Sequence, residues 1–273
     1  MKALILAGGG GTRLGSLGEA LPKCLLPVFD QLLLLRQIEQ CARAGAEDVF
    51  VSIAARFEPL ISVVLARFQS SVRVTCLPEA IPLGPIGGLL AALDPLGDCR
   101  VLMVLGDEYI QDRNALRNVA QAPLSSPDDL ALAVVTGSHP SQILCNAVLD
   151  GQGRVERLRE KPAPHEIVGD ARWCGVAAFP ARLLKAALPV GPRAGGHIGD
   201  ALNLLIDRGC TALAIRVPEI HLNLNTLDDA LAAAIIESCA SERETTIEQV
   251  NARCGDLVRR AFPHACADRL GNA

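Results

Sequence analysis

The chain has 273 residues, half of them hydrophobic, which is enough to bury the core of one large α/β domain or of two smaller ones. Its net charge of -4 and its pI near 5.8 give no electrostatic reason to expect a nucleic acid or a membrane surface as partner. No long apolar segment precedes the first glycines, so we expect no signal peptide, no membrane span and a cytoplasmic location. The ten cysteines are scattered singly without zinc-type spacing, which favours reduced core residues over disulfides.

The first predicted element is a buried strand, Ala3–Ala7, which runs into a glycine loop, Gly8–Gly11. Residues without a Cβ atom let backbone N–H groups approach an anion closely, as in loops that bind nucleotide phosphates. Arg13 supplies a planar cationic fork and Lys23 a compact charge, a combination that suits a triphosphate. Taken alone, however, a run of glycines is more often a plain turn beside two solvated cations.

After the glycine loop, predicted helices and strands alternate along the chain. They are the helix Leu32–Ala44, the strand Asp48–Ala54, the helix Leu60–Phe68, the strand Val72–Leu77, an apolar helix ending near Leu93, the strands Arg100–Leu105, Leu130–Thr136, Leu144–Leu149 and Arg154–Leu158, the helix Gly199–Gly209, the strand Ala212–Val217 and a last helix after Thr226. This alternation predicts an α/β fold with a doubly wound sheet, whose ligand lies at the carboxyl ends of the strands.

The glycine loop and the residues after it resemble the signature of the sugar-1-phosphate nucleotidyltransferases, also called nucleoside-diphosphate-sugar pyrophosphorylases. That pattern is G-G-x-G-T-R-L followed by P-K-x-L-x-P-V, and the chain matches it from Gly8 to Leu14 and from Pro22 to Val28 with the same spacing. Residues Gly15–Gly18 replace the x-P-L-T of many members and are closer to guanylyltransferases of the mannose or heptose 1-phosphate type. The resemblance implies a Rossmann-like, mixed but mainly parallel sheet.

Two further motifs of the first half are similar to those of the family. The segment that starts at Glu79 resembles Q/E-x-x-P-L-G-T-x-G-x-L, with Pro85 in place of the usual threonine, and Gly106 with Asp107 resembles the G-D pair that follows a buried strand. In the family the residue at Glu79 reads the edge of the base, whereas by itself this glutamate is equally typical of a solvated turn. The resemblance implies a nucleotide site made of Leu6, Ala7, Gly8, Gly9, Gly10, Gly11, Thr12, Glu79, Gly84 and Gly106.

The second half contains motifs that resemble the sugar-phosphate site of the family. Glu160 and Lys161 belong to an E-K-P triplet, in which the lysine binds the sugar phosphate and the glutamate accepts hydrogen bonds from sugar hydroxyls. Three other positions of this implied site are Asn146, where many members have glycine, and Cys174 with Gly175, where asparagine or alanine is common at the cysteine. These departures leave the identity of the sugar open.

The segment HLNLNTLDD, starting at His221, resembles W-x-D-x-G-T-P-E-D and places Asn223 at the second metal ligand. A neutral amide oxygen can still bind Mg²⁺, although it adds less charge attraction than a carboxylate. Without the resemblance, Asn223 and Asn225 are typical of a loop that caps a helix. The implied Mg²⁺ ligands are therefore Asp107 and Asn223.

The resemblance implies an enzyme that joins a nucleoside triphosphate to a sugar 1-phosphate, or to a similar cyclitol 1-phosphate, and releases pyrophosphate. Arg13, Lys23 and Lys161 are its implied catalytic residues, and Mg²⁺ is its cofactor. We expect this domain to cover residues 1–240, with a nucleotide-binding half at 1–127 and a sugar-phosphate-binding half at 128–240. Residues 241–273 are predicted to form one or two helices, which are a candidate surface for a homo-oligomer.

GTP is the nucleotide predicted from Glu79. An ionised carboxylate only accepts hydrogen bonds, and the Watson–Crick edge of guanine offers two adjacent donors. Uracil and thymine present one donor between two carbonyls, and cytosine and adenine would set the carboxylate against a lone pair. The alternatives are a dTTP-, UTP- or CTP-dependent member of the family, a solvent-facing Glu79 with the base chosen by the backbone, or a catalytically weak subunit that binds nucleotide sugars to regulate a partner.

Overall fold

The computed structural model of the chain describes residues 1–79, 84–138, 143–187, 196–217 and 221–241. Its strands are β1 (Lys2–Ala7), β2 (Pro27–Val28), β3 (Gln31–Leu32), β4 (Asp48–Ala54), β5 (Arg73–Glu79), β6 (Arg100–Leu105), β7 (Glu108–Ile110), β8 (Leu130–Val135), β9 (Cys145–Leu149), β10 (Val155–Glu160), β11 (Arg172–Pro180), β12 (Ala212–Arg216) and β13 (His221–Asn223). Its α-helices are α1 (Ser16–Ala20), α2 (Leu33–Arg43), α3 (Glu58–Ala66), α4 (Pro85–Leu96), α5 (Ala115–Ala120), α6 (Ala181–Ala187), α7 (Ile198–Asp207) and α8 (Leu227–Ser241).

One mixed sheet organises the described part of the chain, with strand order β10-β9-β11-β6-β1-β4-β5 and with β8 joining β11 to β12. The strands β6, β1, β4 and β5 are parallel, whereas β11 is antiparallel to β6, β8 and β9. The predicted Rossmann-like mixed sheet is confirmed. Its parallel half brings the ends of β1, β6 and β5, and therefore the predicted nucleotide residues, to one edge.

Both faces of this sheet are covered, which explains the continuous apolar run of β1. Ala3 and Ile5 belong to one buried cluster, to which α2, α5 and α8 contribute apolar residues. Leu4 and Leu6 point to the opposite cluster, which includes residues of α4, α6 and α7. Because neither face meets water, the strand shows no polar alternation.

The strand β11 was not predicted from the sequence, although it lies near the middle of the sheet. Its nine residues include a glycine, two alanines and a terminal proline, so they lack the β-branched run that indicates a strand. All but the first are buried, so no alternation reveals the strand either. The pairing of β11 with both β6 and β8 joins the two predicted halves in a single sheet.

Residues 242–273, for which a helical extension and a second-subunit contact were predicted, lie outside the described residues. In the described ranges no helix has the length and apolar character needed to cross a membrane. The cysteines of these ranges are free thiols, and four of them, Cys24, Cys41, Cys145 and Cys174, are buried. Burial raises the pKa of Cys24 and of Cys41 to about 12, which agrees with their predicted role as core residues.

Candidate active site

A cleft of about 470 Å³ opens at the carboxyl ends of the strands β1, β5, β6 and β10. The two predicted halves both contribute to its walls, as expected for a sheet whose ligand lies at its carboxyl edge. The predicted site residues that line this cleft are Leu6, Ala7, Gly8, Gly9, Gly10, Gly11, Thr12, Arg13, Lys23, Glu79, Gly84, Gly106, Asp107, Glu160, Lys161 and Asn223. Residues far apart in the sequence are therefore close together in the fold.

The glycine loop is shaped by close backbone contacts. Gly11 has φ +64°, a left-handed conformation that side chains disfavour, and its carbonyl accepts a hydrogen bond from Leu14 at 2.9 Å. A Cβ atom on Gly18 would lie 2.1 Å from the Gly11 carbonyl oxygen, so the chain returns against the loop where no side chain fits. The Arg56 guanidinium donates to the Gly10 carbonyl at 3.2 Å and helps to hold the loop.

Arg13 and Lys23 meet at a single oxygen atom. The Arg13 Nη1 and the Lys23 Nζ each donate to the side-chain Oδ1 of Asn225 at 2.5 Å, and Lys23 also lies 3.3 Å from an oxygen of Asp107. Arg13 is exposed, whereas Lys23 is partly buried at the base of the cleft. Two cations that converge on one oxygen beside a glycine loop are an arrangement that can bind phosphate oxygens.

Asp107 lies where β6 ends, and a short antiparallel pair fixes its surroundings. The strand β7 pairs with β13 so that Glu108 lies opposite Asn223, and the Leu224 amide donates to the Asp107 carbonyl at 2.7 Å. Burial raises the pKa of Asp107, and the neighbouring Glu108 adds to this effect, whereas Lys23 opposes it. The carboxylate is thus held beside Lys23 at the edge of the cleft that Asn223 also lines.

The donor set at this place fits Mg²⁺ better than a softer metal. In the part of the chain that the structure describes, no group of three or more His, Cys, Asp or Glu side chains is arranged to hold a metal. Mg²⁺ needs no such cage, because it binds through one or two protein oxygens and completes its shell with water and substrate phosphates. The Asp107 carboxylate and the Asn223 amide oxygen are hard ligands of this kind.

Glu108 turns its carboxylate away from the cleft and binds two side chains of β13. One oxygen accepts from the Asn223 Nδ2 at 2.8 Å, and the other lies 2.6 Å from the His221 Nε2. Burial lowers the pKa of His221, but its contacts with Cys174 and Glu108 outweigh burial and raise that pKa to about 10. Glu108 and His221 therefore form a buried ion pair beneath Asn223.

Glu79 is buried at the end of β5, with 8% of its surface exposed. The Ser52 hydroxyl donates to its Oε1, and a Cβ atom on Gly8 would lie 2.2 Å from that oxygen, so the carboxylate packs directly under the glycine loop. Burial raises the pKa of Glu79, and the Ser52 hydrogen bond partly offsets this effect. Glu79 therefore lines the cleft as a buried residue. The alternative prediction, in which it is a turn residue that faces solvent, is wrong.

Lys161 and Glu160 form the opposite wall, where β10 ends. Lys161 has φ +46°, a left-handed conformation unusual for a residue with a side chain, and its amide donates to the Leu144 carbonyl at 2.8 Å. Glu160 accepts from the Gly199 amide in the first turn of α7 at 3.2 Å. Burial raises the pKa of Glu160, and this backbone hydrogen bond opposes the rise.

A family profile described as nucleotidyl transferase matches residues 2–215 of the chain. The chain belongs to this family. The predicted membership of the sugar-1-phosphate nucleotidyltransferases is thereby confirmed, and the site described above is the candidate active site of this nucleotidyltransferase fold.

Relatives of the chain include enzymes named for different nucleotides. It is 30% identical to glucose-1-phosphate thymidylyltransferase of Streptomyces griseus, over 77% of this chain and 58% of the relative. It is 32% identical to mannose-1-phosphate guanylyltransferase 1 of Arabidopsis thaliana, over 59% of this chain and 45% of the relative. The chain thus spans about half the length of these relatives.

The fold is also found among solved structures. UDP-glucose pyrophosphorylase of Acinetobacter baumanii superimposes with a TM-score of 0.73 and 16% identity, over 95% of this chain and 98% of that chain. At this identity the similarity concerns the fold alone. It agrees with the mixed, mainly parallel sheet described above.

Two predicted sugar-phosphate residues do not line the cleft. Asn146 has no exposed surface, and its side chain donates to the carbonyls of Val168 and Ala171 and accepts from the Val168 amide. Cys174 is fully buried in the core on one face of the sheet. In this structure their side chains support the backbone and the core, which corrects the placement expected from the motif.

Gly175 lies in an adjoining cavity of about 350 Å³, which shares Leu105, Leu144, Glu160, Asn223 and Asn225 with the cleft. It has φ +69°, and a Cβ atom there would lie 2.6 Å from the Glu108 Cγ. Glycine is required at this position because of both the backbone conformation and the space. The cavity extends the site past Lys161, where the sugar half was expected.

The sequence did not reveal the roles of Asn225 and Glu108. Asn225 was typical of a capping residue, but Thr226 and Asp229 cap α8 through reciprocal hydrogen bonds between side chain and backbone. The Asn225 side chain instead reaches the two cations. The one signal for these residues was the pair of asparagines before a helix, together with a glutamate directly after the G-D pair.

Proposed function

We propose that this protein transfers a nucleotidyl group from a nucleoside triphosphate to a sugar 1-phosphate, or to a similar cyclitol phosphate, and releases pyrophosphate. The observation that carries the proposal is the convergence of Arg13 and Lys23 on one oxygen position beside Asp107, with Lys161 on the opposite wall of the same cleft. Two sets of cations on facing walls suit two phosphorylated substrates.

The reaction needs little chemistry from the protein. An oxygen of the sugar phosphate attacks the α-phosphorus, a new P–O bond forms, and the bond to the departing pyrophosphate breaks. The attacking oxygen is already anionic, so no side-chain nucleophile or general base is required. The protein contributes position and charge: Arg13 and Lys23 hold the triphosphate, and Lys161 holds the incoming phosphate.

Asp107 and Asn223 are the residues that would hold Mg²⁺. When bound, this ion neutralises charge on the phosphate oxygens during the transfer. Lys23 lies 3.3 Å from Asp107, so its ammonium pairs with the carboxylate.

GTP is the nucleotide that we propose for this chain. Glu79 lies beneath the glycine loop with one oxygen held by Ser52, so it is a fixed acceptor and not a mobile surface carboxylate. A fixed carboxylate suits the paired donors of guanine, and a mismatched base would leave buried groups unpaired. The relatives include both guanylyl- and thymidylyltransferases, so their names do not decide the base.

A panel of nucleoside triphosphates and sugar 1-phosphates, assayed for Mg²⁺-dependent pyrophosphate release, tests the reaction. We expect turnover with GTP and at least one hexose, heptose or cyclitol 1-phosphate. The same panel tests the catalytically weak regulatory subunit, for which we expect binding without turnover. No release with any pair would contradict the proposed reaction.

The base preference is tested by comparing kcat/KM for GTP, dTTP, UTP, CTP and ATP in the parent and in Glu79→Gln. The amide both donates and accepts, so we expect the GTP preference of the parent to fall by about 10- to 100-fold, or to turn toward UTP or dTTP. Ser52→Ala keeps the carboxylate and removes one partner that holds it, so the preference for GTP should fall less than in Glu79→Gln. An unchanged ranking in Glu79→Gln would refute the role of Glu79.

A further inference from the structure

Asn225 occupies a position where the family pattern has glycine, which has no side chain to offer. Here the amide oxygen of Asn225 lies 2.5 Å from both the Arg13 Nη1 and the Lys23 Nζ. These two side chains come from the first 23 residues, whereas Asn225 comes from the loop before α8. The contact therefore connects the glycine-loop region to the C-terminal side of the cleft.

The direction of the Asn225 amide is fixed by chemistry at both ends of a chain of hydrogen bonds. Arg13 and Lys23 can only donate, so they require the Asn225 oxygen. The Asn225 Nδ2 then donates to the Oδ1 of Asn223, and the Asn223 Nδ2 donates to Glu108 at 2.8 Å. Because a carboxylate such as that of Glu108 accepts hydrogen bonds and has none to donate, neither amide can turn over without losing hydrogen bonds.

The backbone on either side of Asn225 is fixed as well. The backbone N–H of Asn225 donates to the Asp229 Oδ2 at 2.9 Å, and the same oxygen accepts from the backbone N–H of Thr226 at 2.8 Å. Two residues earlier, Asn223 is paired with Glu108 across the β7–β13 ribbon. The Asn225 side chain therefore extends from a rigid base toward the cleft.

We propose that Asn225, oriented through Asn223 by Glu108, is a positioning residue that holds Arg13 and Lys23 side by side for the phosphates of the triphosphate. Two long cationic side chains repel each other and lose rotamer entropy when a ligand gathers them. An acceptor that gathers them beforehand removes part of this cost from binding. The inference rests on the proposed function, because it assumes that these cations bind the triphosphate.

Calorimetric binding of inorganic pyrophosphate, in EDTA and again with Mg²⁺, tests this role without turnover. We expect Asn225→Ala and Asn225→Gly to bind pyrophosphate roughly tenfold more weakly than the parent in EDTA, the loss expected for a hydrogen bond to charged groups. Asn118→Ala, which changes an exposed asparagine of α5 away from the cleft, is the matched control and should bind as the parent does.

Asn225→Asp separates positioning from simple packing. A carboxylate of the same shape keeps both cations in place, but it neutralises part of their charge and faces the Asn223 oxygen. We expect pyrophosphate binding weaker than in Asn225→Ala. Binding equal to that of the parent would overturn the proposal, because it would mean that only the shape of the side chain matters.

Glu108→Gln tests whether Glu108 orients the Asn225 side-chain amide through Asn223. The glutamine can present either a donor or an acceptor, so it no longer fixes the direction of the two asparagine amides. We therefore expect this single variant to bind pyrophosphate about threefold more weakly than the parent. In the Asn225→Ala background the same change should have no further effect on binding. A full, independent effect there would overturn the role of Glu108.

The outcomes also distinguish the inference from the function beneath it. Failure of the parent to bind pyrophosphate under either condition would refute both. Binding by the parent that is unchanged within twofold in Asn225→Ala and Asn225→Gly would refute the positioning role alone. Pyrophosphate release by the parent would then still support the proposed reaction.

Discussion

Asp107 follows a buried strand, and both its burial and a neighbouring carboxylate disfavour the charged form of its side chain. Burial and the adjacent Glu108 both raise its pKa, and Lys23 at 3.3 Å is the partner that opposes them. A carboxylate held in this way contributes little to folding, because its burial penalty offsets its ion pair. Its position beside Asn223 instead suits the binding of a hard cation.

We therefore expect Asp107→Asn to reduce turnover by roughly 100-fold or more, as for the removal of a preorganised charge, while the fold is retained. Pyrophosphate release at saturating Mg²⁺ measures the first effect, and thermal unfolding the second. Asp207→Asn, which removes a surface partner of Arg157, should change neither. Mg²⁺-dependent activity near that of the parent would contradict the assignment of Asp107.

Lys161 combines a charge in the cleft with a strained backbone. Its φ of +46° is costly for a side chain, and such strain is often kept at functional positions. Replacement by glycine relieves the strain and removes the ammonium, whereas replacement by alanine removes only the ammonium. The pair of variants therefore separates the two effects.

Both Lys161→Ala and Lys161→Gly should raise the KM for the sugar phosphate by about tenfold or more, and triphosphate affinity should stay within about twofold. Lys161→Gly should also unfold at a higher temperature than Lys161→Ala, by the equivalent of up to about 1 kcal/mol. Steady-state kinetics, calorimetry and thermal unfolding measure these quantities. Loss of triphosphate affinity with sugar-phosphate affinity kept would reverse the roles given to the two lysines.

At the scale of elements, the glycine loop depends on the return of the chain through α1. Gly18 lies where many relatives of this pattern have threonine, and here its Cα touches the loop so closely that a Cβ would lie 2.1 Å from the Gly11 oxygen. In this chain the departure at Gly15–Gly18 coincides with a close backbone contact between the loop and α1.

Gly18→Ala must push backbone against backbone, so we expect a loss of about 1–3 kcal/mol in the free energy of unfolding and weaker triphosphate binding. Gly151→Ala is the matched control, because nothing lies within 4 Å of a Cβ at that hairpin turn. Denaturant unfolding and calorimetry give the two quantities. Equal behaviour of the two variants would show that the loop tolerates the displacement.

The sequence predicted the elements that have a strong local pattern. The strands β1, β4 and β6 are apolar runs that end near glycine or at a helix, and they were found with bounds within one residue. The strand β11 has no such pattern, and its place is decided by pairing with β6 and β8. Motif residues such as Lys23 and Asp107 were predicted from their resemblance to short motifs of the family, which are also local in the sequence.

The role of Asn225 could not be predicted in that way, because it depends on residues 202 and 212 positions away. The same is true of Glu108, which contacts Asn223 across 115 positions through the β7–β13 ribbon. Such contacts depend on tertiary structure, and only the presence of polar residues at both places was visible in the sequence. The same limit applies to Asn146, whose side chain forms hydrogen bonds with backbone carbonyls and does not line the cleft as predicted.

Across the whole molecule, a buried ionic cluster connects the first half of the chain to the last described helix. Glu237 of α8 is 7% exposed and accepts from Arg36 of α2 at 2.6 Å, from Tyr109 of β7 at 2.7 Å and from Arg113 at 2.6 Å. The Arg36 guanidinium also lies over the Tyr109 ring, 5.0 Å from its centre. These contacts hold α8 against β7 and so support the site segment before α8.

The stability that this cluster provides should depend on pH in a defined direction. Burial by itself raises the pKa of Glu237, but hydrogen bonds from Arg113, Tyr109 and Arg36 outweigh burial and hold the pKa below its ordinary value of 4.5. Because the folded pKa is lower than the unfolded one, the stabilisation is present above about pH 4.5 and is lost as the pH falls through the folded pKa.

We expect Glu237→Gln to lower the free energy of unfolding by about 1–3 kcal/mol near neutral pH, since it weakens hydrogen bonds to charged groups. As the pH falls below 4.5 and through the lowered folded pKa, the parent protonates Glu237 and comes to resemble the variant, so the difference in unfolding free energy between the two proteins should shrink toward zero. Denaturant unfolding of both proteins over a pH series measures it. Glu156→Gln, at an exposed glutamate of β10, should show no such trend. A difference that stays constant or grows as the pH falls would mean that Glu237 is not held ionised by its three partners.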